Sequence, residues 1–506
     1  MTYRQGLTVQ PYQRLSAGQL DLIHRTSLQI LEDPGVLVDL PEAVEIFERG
    51  GAKVTRGGSP EAWAVKLSAK MVAEAVAKAP KTVVLGARDP ANALLLDGRR
   101  PTVYFGTGSE SNYCLETVLR PFTAKDDPPW TANLPCYIKK RGTVTDLVKA
   151  ARLGESLAQL DFFIRPVNIQ DEEITAENKD VNKFFACLDN LTKHVMAGLT
   201  SLESFPAVIR MARIIAGGKE QLKENPVISL ISCVTKSPLQ FLDDATAKML
   251  AAVREGIPVV LSSSPQGGST APLDEMGMVA QINAEILSAV VLSQLATPGA
   301  PPVIYGSVPV RARMDNLHDM YGAPEFSQYN VDCVQMARYY GLPCYSTAGV
   351  ADAKVPGIQA TAEKLFSYLL VAQSGPQLIH YAFGLLEETQ TFSLEQAVLD
   401  NEHIGMVKMT LAEPLINEEE AARTLEIIRT TMSSPYRLFA RYARRRLREG
   451  DFYFAYPFEN TAEQDETMSK VKQRVEEILS RPAKKLPEEI RRQILAQTPG
   501  IIVKLY

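Results

Sequence analysis

The residues best suited to chemistry in this 506-residue chain stand at the ends of short apolar runs. His380 and Tyr381 close the run PQLIHYAFG, with Phe383 two residues on, while Asp352 follows LPCYSTAG and Glu110 follows TVYFG. A histidine in such a place moves a proton, orients a substrate or fills a buried polar slot. Arg311 and Arg313 follow PVIYGSV. Their guanidinium groups would hold a substrate carboxylate through paired hydrogen bonds, or anchor the loop ahead of Gly322. Around these groups fall the rings of Tyr104, Phe105, Tyr305, Tyr321, Phe326, Tyr345, Tyr381 and Phe383. Most such rings belong to a core or to its second layer, yet a few at one opening would hold an ammonium by cation–π attraction.

Several chemistries lack their parts. The chain has five histidines, with His24 in an N-terminal helical stretch, His194 at the start of an apolar run, and His318 and His403 in loops. No convergent ligand set follows, so no metal site is expected. A Schiff-base enzyme wants a lysine inside a strand, whereas Lys193 opens one run and Lys354 lies beyond another. The six cysteines form no C-x-x-C pair, which fits free thiols in a reducing compartment better than disulfides or zinc. A formal net charge of -5 leaves no basic footprint for nucleic acid or an anionic membrane surface. The opening MTYRQGLTVQPYQRLS has no apolar leader core, and no run approaches the ~18 apolar residues of a membrane span. These features predict a cytoplasmic enzyme acting on a small polar molecule, with neither nucleic acid nor membrane as partner.

The elements that must position these groups come next. Ser16 caps a predicted helix stopped by Pro34-Gly35, a second helix runs from Pro41 to Gly50-Gly51, and Ser68 opens a third that ends before Pro80. A strand-like KTVVLG follows. Beyond about residue 100 the pattern becomes β-branched runs alternating with segments of helical length, the signature of βα units. The runs begin at Thr102, Asp161, Lys193, Val227, Pro258, Pro302, Leu342 and Pro376. Eight units, mostly spaced roughly 30 to 45 residues apart, predict a (βα)8 TIM barrel in the α/β class. It would span residues 99–390, with a mainly helical N-terminal extension carrying a short β element over 1–98 and a C-terminal helical segment over 391–506. The long first gap, Asn112 to Tyr137, reads as a hairpin over the barrel mouth. A doubly wound sheet is the rival, but GTGSESNY after the first strand lacks the third glycine and the later acidic residue of a dinucleotide turn. The basic run Arg441 to Gly450 reads as the solvated face of a helix rather than a dock for an acidic partner.

In a barrel the active site lies at the C-terminal ends of the strands, which is where the residues above fall. The stretch from Pro302 to Lys364 contains GAPE, then YYGLP before the seventh strand, then DAKVP followed by QA and E. With YFGTGSESNY, INAEILSAVVLSQLATPGAPPVIYGS and QLIHYAFGLLE, these motifs resemble the trimethylamine:corrinoid methyltransferase superfamily over nearly the whole chain. The resemblance implies a TIM barrel that moves a methyl group from a methylated amine to cobalt(I) in a cognate corrinoid protein. It implies no tightly bound cofactor of the chain's own.

The founding branch of that superfamily uses pyrrolysine, expected in the loop after the seventh strand; here AGVADAK has ordinary residues at Gly349, Val350 and Ala351. The departure points to the non-pyrrolysine branch and its quaternary amines, such as glycine betaine, proline betaine or carnitine. A quaternary ammonium already carries a neutral amine as leaving group, so its site must chiefly orient one N-methyl and desolvate the cation. On that reading Tyr104, Phe105, Tyr321, Phe326, Tyr345, Tyr381 and Phe383 are expected cage members, and Arg311 or Arg313 holds a carboxylate. Glu110 lines the site, and Asp352 with His380 shapes it as the catalytic pair. A homo-oligomer is expected. Two other readings remain open: a barrel that binds a betaine or amine without turnover, and a lyase or decarboxylase drawing an acid/base pair from Glu110, Asp352 and His380.

Overall fold

The computed structural model describes the chain apart from residues 1–2, 57–61, 109, 124, 126–130, 298, 300, 451–455 and 460–464. All eight expected runs are strands, here numbered one to eight: Thr102–Phe105, Phe162–Ile164, His194–Ala197, Ile228–Cys233, Val259–Ser263, Val303–Ser307, Cys344–Thr347 and Leu378–His380. They lie parallel in one curled sheet, in the order one, eight, seven, six, five, four, three, two, with Leu7–Thr8 as a ninth, antiparallel edge strand beside strand one.

Strands one and two are the two ends of this parallel series, and they meet without a full ladder. A parallel bridge joins Gly106 to Phe162. Side chains continue it: Asp161 Oδ2 accepts from Phe105 N at 2.9 Å, and Thr107 Oγ1 accepts from Ile164 N at 2.8 Å while donating to Ile164 O at 2.6 Å. Leu7 pairs with Val103 and Thr8 with Thr102, so strand one already has an edge partner along its N-terminal half. Expected as a regular barrel seam, this junction is instead made by that bridge, a second one from Ser111 to Val167 just beyond the strands, and polar side chains.

Sixteen α-helices are present among the described residues: α1 Ala17–Glu32, α2 Pro41–Arg49, α3 Ala69–Lys78, α4 Val144–Ser156, α5 Lys179–Leu188, α6 Phe205–Ala216, α7 Lys219–Glu224, α8 Asp243–Glu255, α9 Glu275–Ala296, α10 Pro324–Tyr339, α11 Ile358–Ser374, α12 Leu394–Leu411, α13 Glu418–Ser433, α14 Ala440–Glu449, α15 Thr467–Ser480 and α16 Glu488–Gln497. Ser16 and Ser68 cap α1 and α3 as expected, each accepting a backbone N–H that the first helical turn leaves unpaired. Successive parallel strands are separated by α4 through α11, so each strand returns through helix to the same sheet. One helix, α9, is long and apolar enough to cross a membrane, but 89% of its apolar window is buried inside the fold. Its Asn283 and Glu285 are fully buried and hydrogen-bonded, as a core helix requires.

The N-terminal region carries more strand than expected. Val36–Val38, Lys53–Arg56 and Trp63–Lys66 join Thr235–Lys236 and Gln240–Phe241 in a five-stranded sheet. A second hairpin, Thr82–Leu85 with Leu94–Asp97, sends Val83, Leu85, Leu94 and Leu96 into a cluster with Phe162, Ile164, Met196, Val260, Ile304 and Leu378. Those strand residues alternate with neighbours in the larger core that faces the helices, so the cluster fills the space inside the curl. Burying each such side chain stabilises by about 1.5–3 kcal/mol. The long first gap is a hairpin, as expected: Tyr113–Thr123 pairs antiparallel with Thr131–Arg141, and Thr391–Ser393 adds in parallel beside it.

Candidate functional site

A chain of aromatic contacts runs across the ends of strands seven and eight and the loop after strand six. Tyr345, on strand seven, stacks on His380 of strand eight with centroids 4.0 Å apart and planes 12° from parallel. His380 meets Tyr381 edge-on at 3.9 Å, Tyr381 meets Tyr321 at 6.4 Å, and Tyr321 meets Phe326, in the first turn of α10, at 5.3 Å. Tyr345, His380, Tyr321 and Phe326 are buried; Tyr381 is partly open to solvent.

The backbone builds this arrangement. Tyr381 sits at φ +66°, the left-handed region that side chains avoid at a cost of roughly 1–2 kcal/mol, so the chain turns sharply after His380. Gly108 makes room for the ring. A Cβ there would stand 2.3 Å from Tyr381 Cδ1 and 2.8 Å from its backbone nitrogen. Gly108→Ala is therefore expected to push Tyr381 out of line and lower kcat/KM about tenfold or more, the size of a 1–3 kcal/mol overpacking penalty. An unaltered kcat/KM in steady-state assays would remove this contact from the account.

His380 is held neutral. Its Nδ1 lies 3.2 Å from Ser346 O, which fits a donated proton, and Thr347 Oγ1 is 3.3 Å from Nε2. Burial pushes its pKa well below the ordinary histidine range. The imidazole thus supplies a flat uncharged wall.

Two carboxyls flank Tyr321. Asp352 accepts the backbone N–H groups of Tyr321 and Gly322 at 2.9 and 3.0 Å, and burial, opposed by those hydrogen bonds, pushes its pKa up to about 6. Asp319 is raised too, mainly by desolvation; it accepts from Gln266 Nε2 at 2.8 Å and lies 3.3 Å from Tyr321 Oη. Its strand, Asp319–Met320, joins Val310–Ala312 and Gln266–Gly267 in a three-stranded sheet made by the loops after strands five and six. Glu363 of α11 fixes the loop after strand seven by accepting Asp352 N at 2.8 Å.

The other expected residues are placed as follows. Tyr104 lies inside the curl in the cluster that also holds Tyr345, with Tyr381 packed against it, its hydroxyl donating to Arg4 O at 3.1 Å. Phe105, one residue along the strand, points to the helix layer under Lys408 Nζ, 5.3 Å from the ring centroid. Phe383 is fully buried in the larger core, beyond the turn at Tyr381. Arg311 is already paired with Glu325 at 2.9 Å, and Arg313 is exposed and paired with Asp315 at 2.9 Å, which is the loop-anchor arrangement. Glu110 pairs with Arg165 at 2.5 Å, linking the ends of strands one and two.

Arg165, Asp319 and Cys233 are the residues missed. Arg165 and Cys233 stand at the ends of strands two and four, where a survey of strand ends finds them. The Cys233 thiol is solvent-accessible within surroundings that desolvate it, and its pKa is raised despite a hydrogen bond to Ser262. The cavity beside it, ≈ 190 Å³, opens toward Ala245 and Met249 of α8.

A curled parallel sheet with helices between its strands, and a desolvated aromatic and acidic cluster by the ends of strands six to eight, has the layout of an α/β enzyme. The chain belongs to the trimethylamine methyltransferase (MTTB) family, whose pattern matches residues 4–454, and it is a methyltransferase. It is 33% identical over 405 residues to trimethylamine methyltransferase MttB of Desulfitobacterium hafniense strain DSM 10664 / DCB-2, covering 80% of this chain and 76% of that one. The Methanosarcina barkeri MttB is 30% identical over 408 residues, covering 80% and 77%. Glycine betaine methyltransferase of Desulfitobacterium hafniense strain Y51 is 28% identical over 403 residues, covering 79% and 78%.

Proposed function

We propose that the chain transfers a methyl group from a quaternary amine of the glycine betaine, proline betaine or carnitine kind to cobalt(I) in a partner corrinoid protein. The observation that carries this is the continuous aromatic contact from Phe326 through Tyr321, Tyr381 and His380 to Tyr345. Ring faces in desolvated surroundings attract an N-methylated cation that needs no hydrogen bond, and the carboxyls of Asp319 and Asp352 lie beside Tyr321. The ordinary residues at Gly349, Val350 and Ala351 support the non-pyrrolysine branch.

The corrinoid supplies the nucleophile. This chain's residues hold the cation, expose one N-methyl beside the partly open Tyr381 and keep water from the rest. The partner fits that arrangement, since Tyr381 is the ring open to the outside while its neighbours are covered. On this reading the parallel sheet closes as a (βα)8 barrel over residues 99–390 through the Gly106–Phe162 bridge, between an N-terminal extension and a C-terminal helical segment. A cytoplasmic setting agrees with six unpaired thiols.

The test is binding of glycine betaine against its neutral isostere with a tert-butyl group, by isothermal titration. The betaine is expected to bind more than tenfold tighter, since a desolvated cation–π site contributes about 2 kcal/mol. Equal affinities would discard the cation cage.

The pH dependence follows from Asp352. Its carboxyl is neutral below about 6 and charged above, so attraction for the cation is lost as pH falls through that value. The quaternary ammonium itself does not titrate. KM for the amine is expected to rise several-fold between pH 7.5 and 5.5, and Asp352→Asn is expected to flatten that profile. A flat wild-type profile would take Asp352 out of cation binding.

A further inference from the structure

Arg165 stands one residue past strand two and is 7% exposed. Its planar head offers five N–H donors. Glu110 takes one through Nη2, and the buried Nε has no hydrogen-bond partner among the described residues. A buried donor left unpaired is costly, so this one calls for an acceptor that the free chain does not supply.

The head turns toward the inner side of the strand ends. Met196 of strand three faces the inside of the curl, and Gly198, two residues on, repeats that direction. A Cβ there would stand 3.9 Å from Arg165 Nη2. On strand four, Ile231 packs against the same inner cluster, and Cys233, two residues on, is exposed. Burial raises the pKa of Tyr345, and Tyr381 and the Cys233 thiol, close by, raise it further. Solvent thus reaches the inner side of the strand ends near the aromatic contacts. Strand one separates strands two and eight, so at about 4.8 Å per strand Arg165 and Tyr381 are attached roughly 10 Å apart, a span that their side chains and a small zwitterion can bridge. Lys183 of α5, near enough to Arg165 for the two charges to repel, is already paired with Asp180 at 2.6 Å. Arg165 is the cation there with donors to spare.

We propose that Arg165 holds the carboxylate of a betaine whose ammonium lies against the aromatic rings, and so selects methylated amines that carry an acid group. The inference rests on the quaternary-amine reading and adds the group recognised at the other end of the molecule. Glu110 keeps its one N–H and fixes the plane of the head, while Nε and the remaining donors serve the substrate. Choline, with a hydroxyl in place of the carboxylate, forfeits these charge-assisted hydrogen bonds.

Isothermal titration of the full chain with glycine betaine and with choline tests it. Wild type is expected to bind glycine betaine about tenfold tighter or more. Arg165→Gln is expected to weaken glycine betaine about thirtyfold and to leave choline within about twofold, with unchanged far-UV circular dichroism. Arg165→Gln combined with Glu110→Gln, which strands no carboxylate, is expected to show the same split. An ion pair that merely clips strands one and two together would cost both ligands alike, and that result would overturn the proposal. So would an unchanged affinity for glycine betaine in either variant, or wild type binding choline as tightly, with the cation reading left standing. Binding of neither ligand by wild type would overturn both.

Discussion

Lys364→Met is expected to lower the unfolding free energy by about 3–5 kcal/mol, the cost of leaving one member of a buried ion pair alone. Lys364 and Asp400 are both wholly inaccessible to solvent, with Nζ 3.0 Å from Oδ2. The lysine also donates to Gly349 O at 2.5 Å, and the same carboxylate accepts from Gly384 N at 2.7 Å and, through Oδ1, from Gln396 at 2.9 Å. One ion pair therefore ties α11 and α12 to the loops after strands seven and eight, which carry the site. Burial draws the lysine's pKa down, opposed by the charge of Asp400 and its hydrogen bond. Met fills the space and removes the charge, leaving a buried carboxylate whose remaining partners do not neutralise it. Urea denaturation checks the value, with the midpoint moving and the slope held. Adding Asp400→Asn is expected to restore part of the loss, because the second change removes the stranded charge. A single variant within about 0.5 kcal/mol of wild type would mean that the pair carries no such weight.

Tyr381→Ala is expected to raise KM for the quaternary amine about thirtyfold, equivalent to about 2 kcal/mol of desolvated cation–π attraction. The ring bridges His380 and Tyr321, so its removal opens a gap in the middle of the aromatic contacts. Tyr381→Phe should retain most of the affinity, since the ring face remains. Tyr381→Gly separates ring from backbone: glycine accepts φ +66° without strain, so this variant is expected to match Ala in KM while unfolding later by roughly 1 kcal/mol. Equal KM values for wild type and Tyr381→Ala would remove the ring from the substrate contact.

The eight parallel strands were legible because strands buried on both faces appear as continuous β-branched runs, each closed by glycine, proline or a polar residue. The N-terminal strands were not. Val36–Val38 is three residues long and pairs with Trp63–Lys66 and with the distant Gln240–Phe241, partners that no local pattern announces.

Strand-end position found the loops of the site but not the direction of each side chain. Tyr104 and Phe105 are consecutive, so alternation sends them to opposite faces, Tyr104 into the cluster that also holds Tyr345 and Phe105 toward the helix layer. A straight alternation along strand eight would set Phe383 on the face of Tyr381, but the left-handed turn at Tyr381 breaks that period and buries Phe383 in the larger core. A tyrosine gives no local cue for such a turn, which glycine adopts far more readily. For Arg311 and Arg313 the sequence leaves both a substrate carboxylate and a loop anchor open, because their partners, Glu325 and Asp315, lie in helix-start and loop positions without periodicity. Asp319 was missed for the same reason.

The most direct test of the central claim is methyl transfer itself. Cobalt(I) corrinoid on its carrier protein is followed spectroscopically with glycine betaine, proline betaine, carnitine and trimethylamine supplied separately. Methylcobalamin formation with one of the quaternary amines and none with trimethylamine is the result expected. Transfer from trimethylamine alone, or from none of the four by the folded protein, would contradict the quaternary-amine reading.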